Sequence, residues 1–598
     1  MEEHDMYQSA QKPHWVKAVL LAATTLLVTA AATIAMPPHP DLLEKQAAGE
    51  VTLSDAVTNS ELKHERGIDT GDDDVLRRVL QQRAAERMAN GASQSPEATT
   101  FRILALLVDF DDKSSSVAPA FFDTLVFGAT GSTVRTFYDE FSNSQIDLVT
   151  VSTEEPSDLG WLRAPETYSY YVGSDHGMGA YPTNSQGMVE DVVDLANGSV
   201  DFSNYDNDGD NYVDVLLVIH AGSGAEYSGS ASDMWSHKWG LNTPKVVDGV
   251  YVQTFTVQPE YWATPGDMTI GVYAHELGHG LGLPDLYDVD YTSQGVGKWC
   301  LMSGGSWNGY LGNSPAHPSA WCLKELGVVT PTEVSSNLIN QSIAARENGG
   351  PVFKLTPYGA AADEYFLIEN RQAIGTDAAL PGSGLLIWHV HESAPSHYGS
   401  NRYEWYPGLS PSNHFVVALE QADGLFELDK TSGQTYAASD AGDPFPGTSN
   451  RTTFGFGDTL SAAAYGNDSV SVFVTNISPS GVTMTADFVV DIALDVGEDD
   501  EITLPTRVSL AQNYPNPFNP STVITFTLSQ QADVTLEVFN VLGQSVATLV
   551  DDELSAGEHS VSWDGLSNTG TEVASGVFFY RLTADNSTRE VRKMVLVR

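Results

Sequence analysis

Residues 275–288 read HELGHGLGLPDLYD, and this stretch decides how the surrounding chain must fold. It begins with an H-E-x-x-H pattern, in which His275 and His279 lie four residues apart. On a helix, that spacing places both imidazoles on one face, where they can bind one metal ion. Two histidines and an adjacent glutamate are the groups of a hydrolytic zinc site. We therefore predict His275 and His279 as zinc ligands and Glu276 as the general base that activates a water molecule.

The residues after this helix predict a third ligand. Gly282 is the residue type that tolerates a left-handed backbone, which ends a helix and turns the chain back. Asp285 completes the spacing H-x-x-x-H-x-x-G-x-x-D with a carboxylate, although Asp288, three residues further on, competes for the role. The following segment WCLMSGGSW, residues 299–307, places Met302 in a turn rich in glycine and serine.

These motifs resemble the immune inhibitor A family of secreted bacterial zinc metalloproteases. The resemblance assigns the zinc ligands and the catalytic glutamate to His275, His279, Asp285 and Glu276. It favours Asp285 over Asp288, because metzincins place their third ligand at that offset. It also makes Met302 the methionine turn beneath the metal. The resemblance is close over residues 101–328 and looser to residue 490, and it implies an α+β metzincin-like core.

Length and composition limit the number of domains and the classes of partner. A chain of 598 residues predicts three or four domains. Its 78 acidic and 29 basic residues give a net charge of −49, which argues against nucleic acid or an anionic membrane as a partner. Two cysteines, Cys300 and Cys322, are too few for a disulfide scaffold. They predict either one bridge or two buried free thiols.

The N-terminal residues predict export. An apolar run over residues 18–35 follows two lysines and ends in small residues, which predicts a signal peptide over residues 1–35. An uncleaved membrane anchor is the alternative. Residues 36–99 are polar and partly helical, contain no cysteine, and are predicted as a propeptide. Such a propeptide would inhibit through a histidine, a carboxylate or occlusion, and a plain spacer is the alternative. The mature protein is not expected to span a membrane.

The catalytic domain is predicted over residues 100–330. It begins with the apolar run FRILALLVDF, residues 101–110, which is expected as one buried strand. A second buried strand, residues 213–220, follows an Asp-rich loop centred on Gly209. Alternating oxygen-bearing side chains predict a calcium site there, since clustered carboxylates repel one another without a cation. The predicted calcium ligands are Asn204, Asp206, Asp208, Asp210 and Asp214. A solvated acidic turn is the alternative.

The C-terminal half predicts two β-rich modules. Residues 331–490 contain strand-like segments separated by turns, which predicts a β-sandwich domain, with Asp443 and Glu392 as further candidate calcium ligands. Residues 491–506 form an acidic linker. Residues 507–598 alternate as strands and predict a small immunoglobulin-like sandwich.

The last module also resembles a known export signal. Its segments NPFNPST, NVLGQ, SWDG and SGVFFYRL are similar to the C-terminal sorting domains of the type IX (Por) secretion system. The resemblance implies type IX machinery as a partner, and delivery to the surface or surroundings of a bacterium with an outer membrane. A sandwich that binds carbohydrate or a protein partner is the alternative.

Together these features predict a multidomain, secreted zinc endopeptidase that acts on extracellular proteins or peptides. A non-catalytic adhesin that binds zinc and calcium is one alternative. Glu276 argues against it, because a structural zinc site needs no base and is usually closed by four protein ligands. A metal-dependent cell-wall amidase is a second alternative, which the sequence leaves open. Tyr310 and His237 are the candidates for stabilising the oxyanion.

Overall fold

The computed structural model divides the chain into two compact units, residues 1–492 and 493–598, and we describe each by itself. Most of the predicted signal peptide, most of the predicted propeptide and the acidic linker lie outside the described residues. The structure describes residues 34–54, 57, 99–357, 360, 363–394, 400–404, 414–429, 439–455, 465, 472–490, 509–510, 512–513, 515–528, 532–554, 557–584 and 588–598.

Short helices surround the sheets of the first unit. Helices α1 to α9 are Pro40–Ala47, Ala120–Phe127, Val134–Phe141, Pro156–Leu159, Tyr168–Val172, Ser185–Ala196, Ala225–Ser228, Ile270–Gly280 and Ala320–Glu325. Single 3₁₀ turns are Phe202–Tyr205, Gly297–Trp299, Gly304–Trp307, Arg346–Asn348 and Gly375–Ala379. None of the helices in the described ranges is long and apolar enough to cross a membrane.

The catalytic region is built on a six-stranded sheet. Strands β1 to β8 are Ile34–Ala35, Thr99–Arg102, Leu104–Asp109, Ile146–Val149, Trp161–Arg163, Leu216–Ser223, His237–Val247 and Val250–Tyr261. The strand order is β1-β7-β8-β6-β3-β5, and β2 pairs with β4 separately. The central pairs are parallel, whereas β7 runs antiparallel to both β8 and β1.

The predicted strand over residues 101–110 was wrong in one respect, because two strands share this run. Ile103 donates its backbone N–H to Val149, whereas Leu104 donates to Val215. The chain therefore leaves one sheet and enters the other at this point, although apolar side chains continue without a break. The second predicted strand, residues 213–220, is observed at Leu216–Ser223.

Helices cover both faces of the six-stranded sheet. In β3, Ala105 and Leu107 belong to the core that contains helix α8, whereas Leu106 and Val108 belong to a second core with α5 and α6. This alternation is what a strand buried on both faces requires. Helix α8, which carries the H-E-x-x-H pattern, is thereby fixed against the sheet.

Helix α3 supports helix α8 from the side. It begins with a capping box, in which the Thr133 and Thr136 side chains satisfy each other's backbone N–H groups. Its buried residues Phe137 and Tyr138 lie on the apolar face. The Tyr138 hydroxyl donates to the Ala274 carbonyl in helix α8 over 2.9 Å.

Two further sheets complete the first unit. Strands β9 to β16 are Thr332–Glu333, Leu338–Ala344, Phe353–Leu355, Glu364–Arg371, Gly384–His391, Val417–Leu419, Phe473–Thr475 and Thr483–Val489. They form the sheets β14-β13-β12-β11-β9 and β10-β16-β15. In β12, Phe366 and Ile368 face the core shared by these two sheets, and Tyr365 and Leu367 join the catalytic core. The β-rich region therefore packs directly on the catalytic region.

The second unit consists of two antiparallel sheets around one core. Strands β17 to β23 are Ser509–Leu510, Thr522–Leu528, Ala532–Asn540, Ser545–Leu554, Gly557–Trp563, Gly576–Ala584 and Thr588–Leu596. The sheets are β17-β18-β21 and β20-β19-β22-β23. Ile524 and Phe526 of the first sheet and Leu536 and Val538 of the second belong to the same core.

Candidate metal centre

Helix α8 places the imidazoles of His275 and His279 side by side. Their Nε2 atoms are 3.0 Å apart, and both side chains are fully buried. The Nδ1 atom of His275 lies 2.9 Å from the Leu301 carbonyl, and that of His279 lies 2.8 Å from the Leu283 carbonyl. A carbonyl oxygen can only accept, so each Nδ1 carries a proton and each Nε2 presents a lone pair. These lone pairs converge on one point.

The chain brings Asp285, and not Asp288, to that point. Gly282 has φ of 88° and ends the helix as its sequence position predicts. Asp285 Oδ1 then lies 3.3 Å from Nε2 of both His275 and His279. Asp288 instead accepts hydrogen bonds from the Ser293 N–H and hydroxyl and from the Thr292 hydroxyl. These hydrogen bonds stabilise the turn of residues 288–293.

The donor set fits a zinc ion. Asp285 Oδ1 is buried and accepts no hydrogen bond, and the two Nε2 lone pairs face each other without a proton between them. Buried polar atoms without partners are costly and rare in folded proteins. A cation between the three atoms would satisfy all of them. Two imidazoles and a carboxylate leave a fourth position open, as in hydrolytic zinc sites.

Glu276 lies beside this donor set in an apolar environment. Both of its carboxylate oxygens are buried without a hydrogen bond of normal geometry. Burial raises the pKa of Glu276 well above its usual value, and the charges of Asp285 and Glu226 raise it further. The backbone of Met36 lies nearby and opposes this shift. Burial also favours the neutral form of Asp285, but His279 and His275 lower its pKa overall.

Met302 packs beneath the helix that carries the histidines. Its side chain is fully buried, and its carbonyl accepts a hydrogen bond from the Leu286 N–H over 2.7 Å. A Cβ atom at Gly278 would lie 2.6 Å from the Met302 sulfur. Only glycine therefore allows this helix to approach the methionine turn, residues 300–303, so closely.

The residues on either side of the predicted signal-peptide boundary lie beside this centre. Strand β1 pairs antiparallel with β7, and Ala35 is the register partner of His237. Met36 then donates its N–H to the Ser236 carbonyl over 3.1 Å, and its own carbonyl accepts from the Trp235 indole over 2.7 Å. The Met36 side chain is completely buried. The sequence gives no signal for this position, because Ile34 and Ala35 end the predicted signal peptide and Met36 is the first residue of the predicted propeptide.

Indole and imidazole rings hold the next residues of this segment. The Trp307 indole donates to the Pro37 carbonyl over 2.9 Å. The His39 ring packs edge-on against Trp307 and Tyr227, with centroids 4.8 and 5.4 Å away. We call residues 34–54 the N-terminal segment. Its first residues pair with the outer edge of β7, and the Met36 backbone lies beside Glu276.

The structure also bears on the oxyanion candidates and on the two alternatives for the cysteines. His237 Nδ1 donates to the Trp235 carbonyl and Nε2 accepts from the Ser185 hydroxyl, so neither nitrogen is available for an oxyanion. Cys300 and Cys322 are buried free thiols, with sulfur atoms 4.0 Å apart. Tyr310 is 75% exposed, and its backbone N–H bonds to Asn313.

The predicted calcium ligands are partly brought together. Asp206, Asp208 and Asp210 each place an oxygen within 4.8 Å of the others. Asp214 is close by, and burial raises its pKa to about 7, with Asp208 and Asp210 adding to the shift. Its Oδ2 accepts the Asn207 N–H, whereas its Oδ1 has no partner. Asn204 lies in the 3₁₀ turn that precedes the loop.

Comparisons with known proteins agree with the chemistry of this centre. Residues 89–326 match the family model described as "Immune inhibitor A peptidase M6, catalytic domain". The chain is similar to the pre-pro-metalloprotease PrtV of Vibrio cholerae serotype O1, at 28% identity over 303 residues, covering 42% of this chain and 32% of PrtV. It is also 31% identical to Immune inhibitor A of Bacillus thuringiensis subsp. alesti over 223 residues, or 31% of each chain. These matches support a metalloprotease. The chain spans about a third of the length of these relatives.

The second unit has a different match. Residues 516–589 match the FlgD Ig-like domain model, which agrees with the predicted immunoglobulin-like module. Among solved structures, dimeric latent PorU from Porphyromonas gingivalis aligns with 15% of this chain and 9% of its own, at 20% identity and a TM-score of 0.14. A TM-score that low supports no conclusion. The resemblance to type IX sorting domains stays a prediction.

Proposed function

We propose that this protein is a secreted zinc endopeptidase that hydrolyses peptide bonds of extracellular proteins. The observation that carries the proposal is the convergence of His275, His279 and Asp285 on one point beside Glu276, whose two oxygens are buried without partners. Zinc held there would supply a Lewis acid that polarises a water molecule and the scissile carbonyl.

The protein's own residues would handle the proton. Glu276 takes a proton from the attacking water and returns it to the leaving amine. Its position beside the two histidines and Asp285 lets one carboxylate serve both steps. Hydrogen bonds from His275 and His279 to backbone carbonyls keep both imidazoles in the tautomer that binds metal. Met302 packs against the helix at Gly278, directly before His279, and so supports the part of the helix that carries the histidines.

We further propose that residues 36–54, the part of the N-terminal segment that follows the predicted signal peptide, keep the chain latent as part of a propeptide. The support is that the Met36 backbone lies beside Glu276 and that Met36 donates its N–H to the Ser236 carbonyl next to β7, in the manner of an extended peptide. Pro37 and Pro38 follow, and neither has a backbone N–H to donate to the sheet edge. Of the predicted modes, occlusion therefore has the most support.

Calcium binding and the route of export are further parts of the proposal. Three clustered carboxylates and the buried Asp214 support a calcium ion in the Asp-rich loop, residues 204–214. The immunoglobulin-like fold and the sorting-domain motifs of residues 507–598 support export by type IX machinery. Deletion of these residues should leave the enzyme inside the cell envelope, and an unchanged extracellular yield would refute this route.

The decisive experiment replaces the base and leaves the ligands. In chain freed of residues 1–98, Glu276→Gln should retain one zinc ion and lose activity on a peptide library by at least about a hundredfold. Glu333→Gln, at an exposed glutamate of β9, is the matched control and should retain activity. Near-normal turnover by zinc-loaded Glu276→Gln would refute the mechanism. Zinc binding without any hydrolysis by the wild type would favour an adhesin, and hydrolysis of cell-wall peptides alone would favour an amidase.

A further inference from the structure

A second group of acidic residues lies in the β-rich part of the first unit. Asp423, Asp440 and Asp443 each place one carboxylate oxygen within 4.8 Å of the others. Asp423 follows strand β14, and the other two belong to the loop of residues 439–447, which we call the 440 loop. A Cβ atom at Gly442 would collide with carboxylate oxygens of Asp423 and Asp440, so the chain needs glycine for this approach.

One oxygen of this group is buried without a partner. Asp443 is completely buried, and its Oδ2 accepts from the Trp299 indole over 2.8 Å and from the Asp440 N–H over 3.0 Å. Its Oδ1, on the carboxylate that faces the other two, accepts no hydrogen bond. The same feature marks Asp285 Oδ1 in the zinc centre. A buried carboxylate oxygen that accepts no hydrogen bond is a candidate ligand for a cation.

The lysine and arginine side chains of the described ranges do not neutralise these three carboxylates. Within the described ranges, no lysine or arginine forms an ion pair with Asp423, Asp440 or Asp443. Arg451 acts on Asp423 through its charge, but its guanidinium donates to the Ala422 carbonyl. Burial raises the pKa of Asp443 to about 8, and Asp423 and Asp440 add to this shift. The group therefore carries acidic charge that the chain leaves unbalanced.

The chemistry of the donors selects the ion. All three donors are carboxylate oxygens, and no histidine or cysteine belongs to the group. Calcium prefers six to eight oxygen ligands in flexible geometry, whereas zinc prefers nitrogen and sulfur. Asp440 is exposed at the surface and opens the group to solvent. Three carboxylates and added water would complete a calcium sphere.

We propose that Asp423, Asp440 and Asp443 bind a calcium ion that fastens the 440 loop to the catalytic core. The fastening acts through Trp299, which bonds to Asp443 and immediately precedes the methionine turn. A second link joins the same elements, because the Lys298 N–H donates to the Ser439 hydroxyl over 2.9 Å. The ion thereby stabilises the segment that leads to Met302. This inference does not depend on the protein being a peptidase.

Terbium luminescence can test this site selectively. Terbium replaces calcium in oxygen sites and emits strongly when a nearby indole absorbs the light, and Trp299 contacts Asp443 directly. The experiment uses the zinc-loaded full chain with Glu276→Gln, which prevents self-cleavage. Terbium should give emission excited through tryptophan, and calcium should displace it. Asp443→Asn and Asp440→Asn should each weaken the apparent affinity by about tenfold or more.

A control in the Asp-rich loop separates the two calcium sites. The double variant Asp206→Asn, Asp208→Asn should keep the tryptophan-excited emission and its displacement by calcium. Emission that only this loop variant abolishes would overturn the proposal, as would equal affinity in wild type, Asp443→Asn and Asp440→Asn. Should the buried Asp443→Asn variant misfold and lose zinc, the exposed Asp440→Asn variant decides the question alone.

Discussion

The imidazole of His275 donates its Nδ1 proton to the carbonyl of Leu301 over 2.9 Å. This bond joins the helix that carries the metal ligands to the methionine turn, because Leu301 directly precedes Met302. It also leaves Nε2 as the nitrogen directed at His279 and Asp285. The geometry of the centre is therefore fixed by backbone atoms, and point substitutions of the ligands should act on metal binding without disturbing the helix.

Asp285 and Asp288 should respond differently to the same substitution. We expect Asp285→Asn to lower zinc affinity by about a hundredfold or more, because its Oδ1 lies 3.3 Å from both histidine nitrogens. Asp288→Asn should keep zinc and lose about 1–3 kcal/mol of folding stability, since Asp288 holds Thr292 and Ser293. Zinc content after dialysis against a chelator measures metal binding in both variants. Denaturant unfolding measures the folding stability of Asp288→Asn. Loss of zinc from Asp288→Asn alone would assign the third ligand to that residue.

Met36→Asp should activate the uncleaved chain. The substitution places a carboxylate at a fully buried position whose backbone lies beside Glu276, where charge repulsion and lost solvation both act against binding of the N-terminal segment. Initial rates on a short fluorogenic peptide should rise, whereas the exposed Glu50→Gln variant should stay latent.

A peptide in trans provides the complementary test. The synthetic heptapeptide IAMPPHP, residues 34–40, should inhibit chain freed of residues 1–98 in competition with substrate. Its Met-to-Asp analogue should not inhibit. A Met36→Asp chain as inactive as wild type, together with a heptapeptide that does not bind, would contradict the occlusion model.

Calcium should stabilise the fold more strongly as the pH rises. Asp214 has a pKa raised from 3.8 to about 7, so without calcium the folded chain holds a proton that the unfolded chain releases. Its contribution to stability is therefore lost as the pH rises from about 4 to about 7. Calcium binds the ionised form and offsets this loss. At calcium a hundredfold above its Kd, we expect a gain of ~2.7 kcal/mol.

The measurement compares melting temperatures with and without calcium at pH 5 and pH 8. The double variant Asp208→Ala, Asp210→Ala should lose most of the calcium-dependent shift while its zinc content stays the same. An equal shift in wild type and variant would show that these two carboxylates bind no ion, and that the Asp-rich loop is a solvated turn.

Cys300 and Cys322 should titrate as two free thiols. Their sulfur atoms lie 4.0 Å apart, about twice the length of a disulfide, and the Cys300 sulfur accepts the Ser319 N–H. Ellman's reagent should detect no thiol in the folded protein and two after denaturation without reductant. Detection of none after denaturation would mean that the two are bridged.

The sequence could predict that the candidate metal ligands lie together because they are local. His275, Glu276, His279, Gly282 and Asp285 lie on one helix and the turn after it, so helical spacing alone brings them together. The choice between Asp285 and Asp288 needed the observed turn, since spacing allowed both.

Features made by distant residues could not be read in this way. Asp423 and Asp443 come from separate loops, and only the packing of the β-rich region on Trp299 brings them together. The position of Met36 depends on a strand pairing across the sheet edge, for which two residues of apolar sequence give no signal. The break at Ile103 was missed because hydrophobicity does not reveal a change of partner strand.

Strand β1 covers part of the outer edge of β7. Once the N-terminal segment leaves, backbone N–H and C=O groups near His237 lose their partners and face solvent. An uncovered strand edge pairs with any extended chain, including a second copy of the same protein. We therefore expect loss of strand β1 to make the protein more prone to self-association at high concentration.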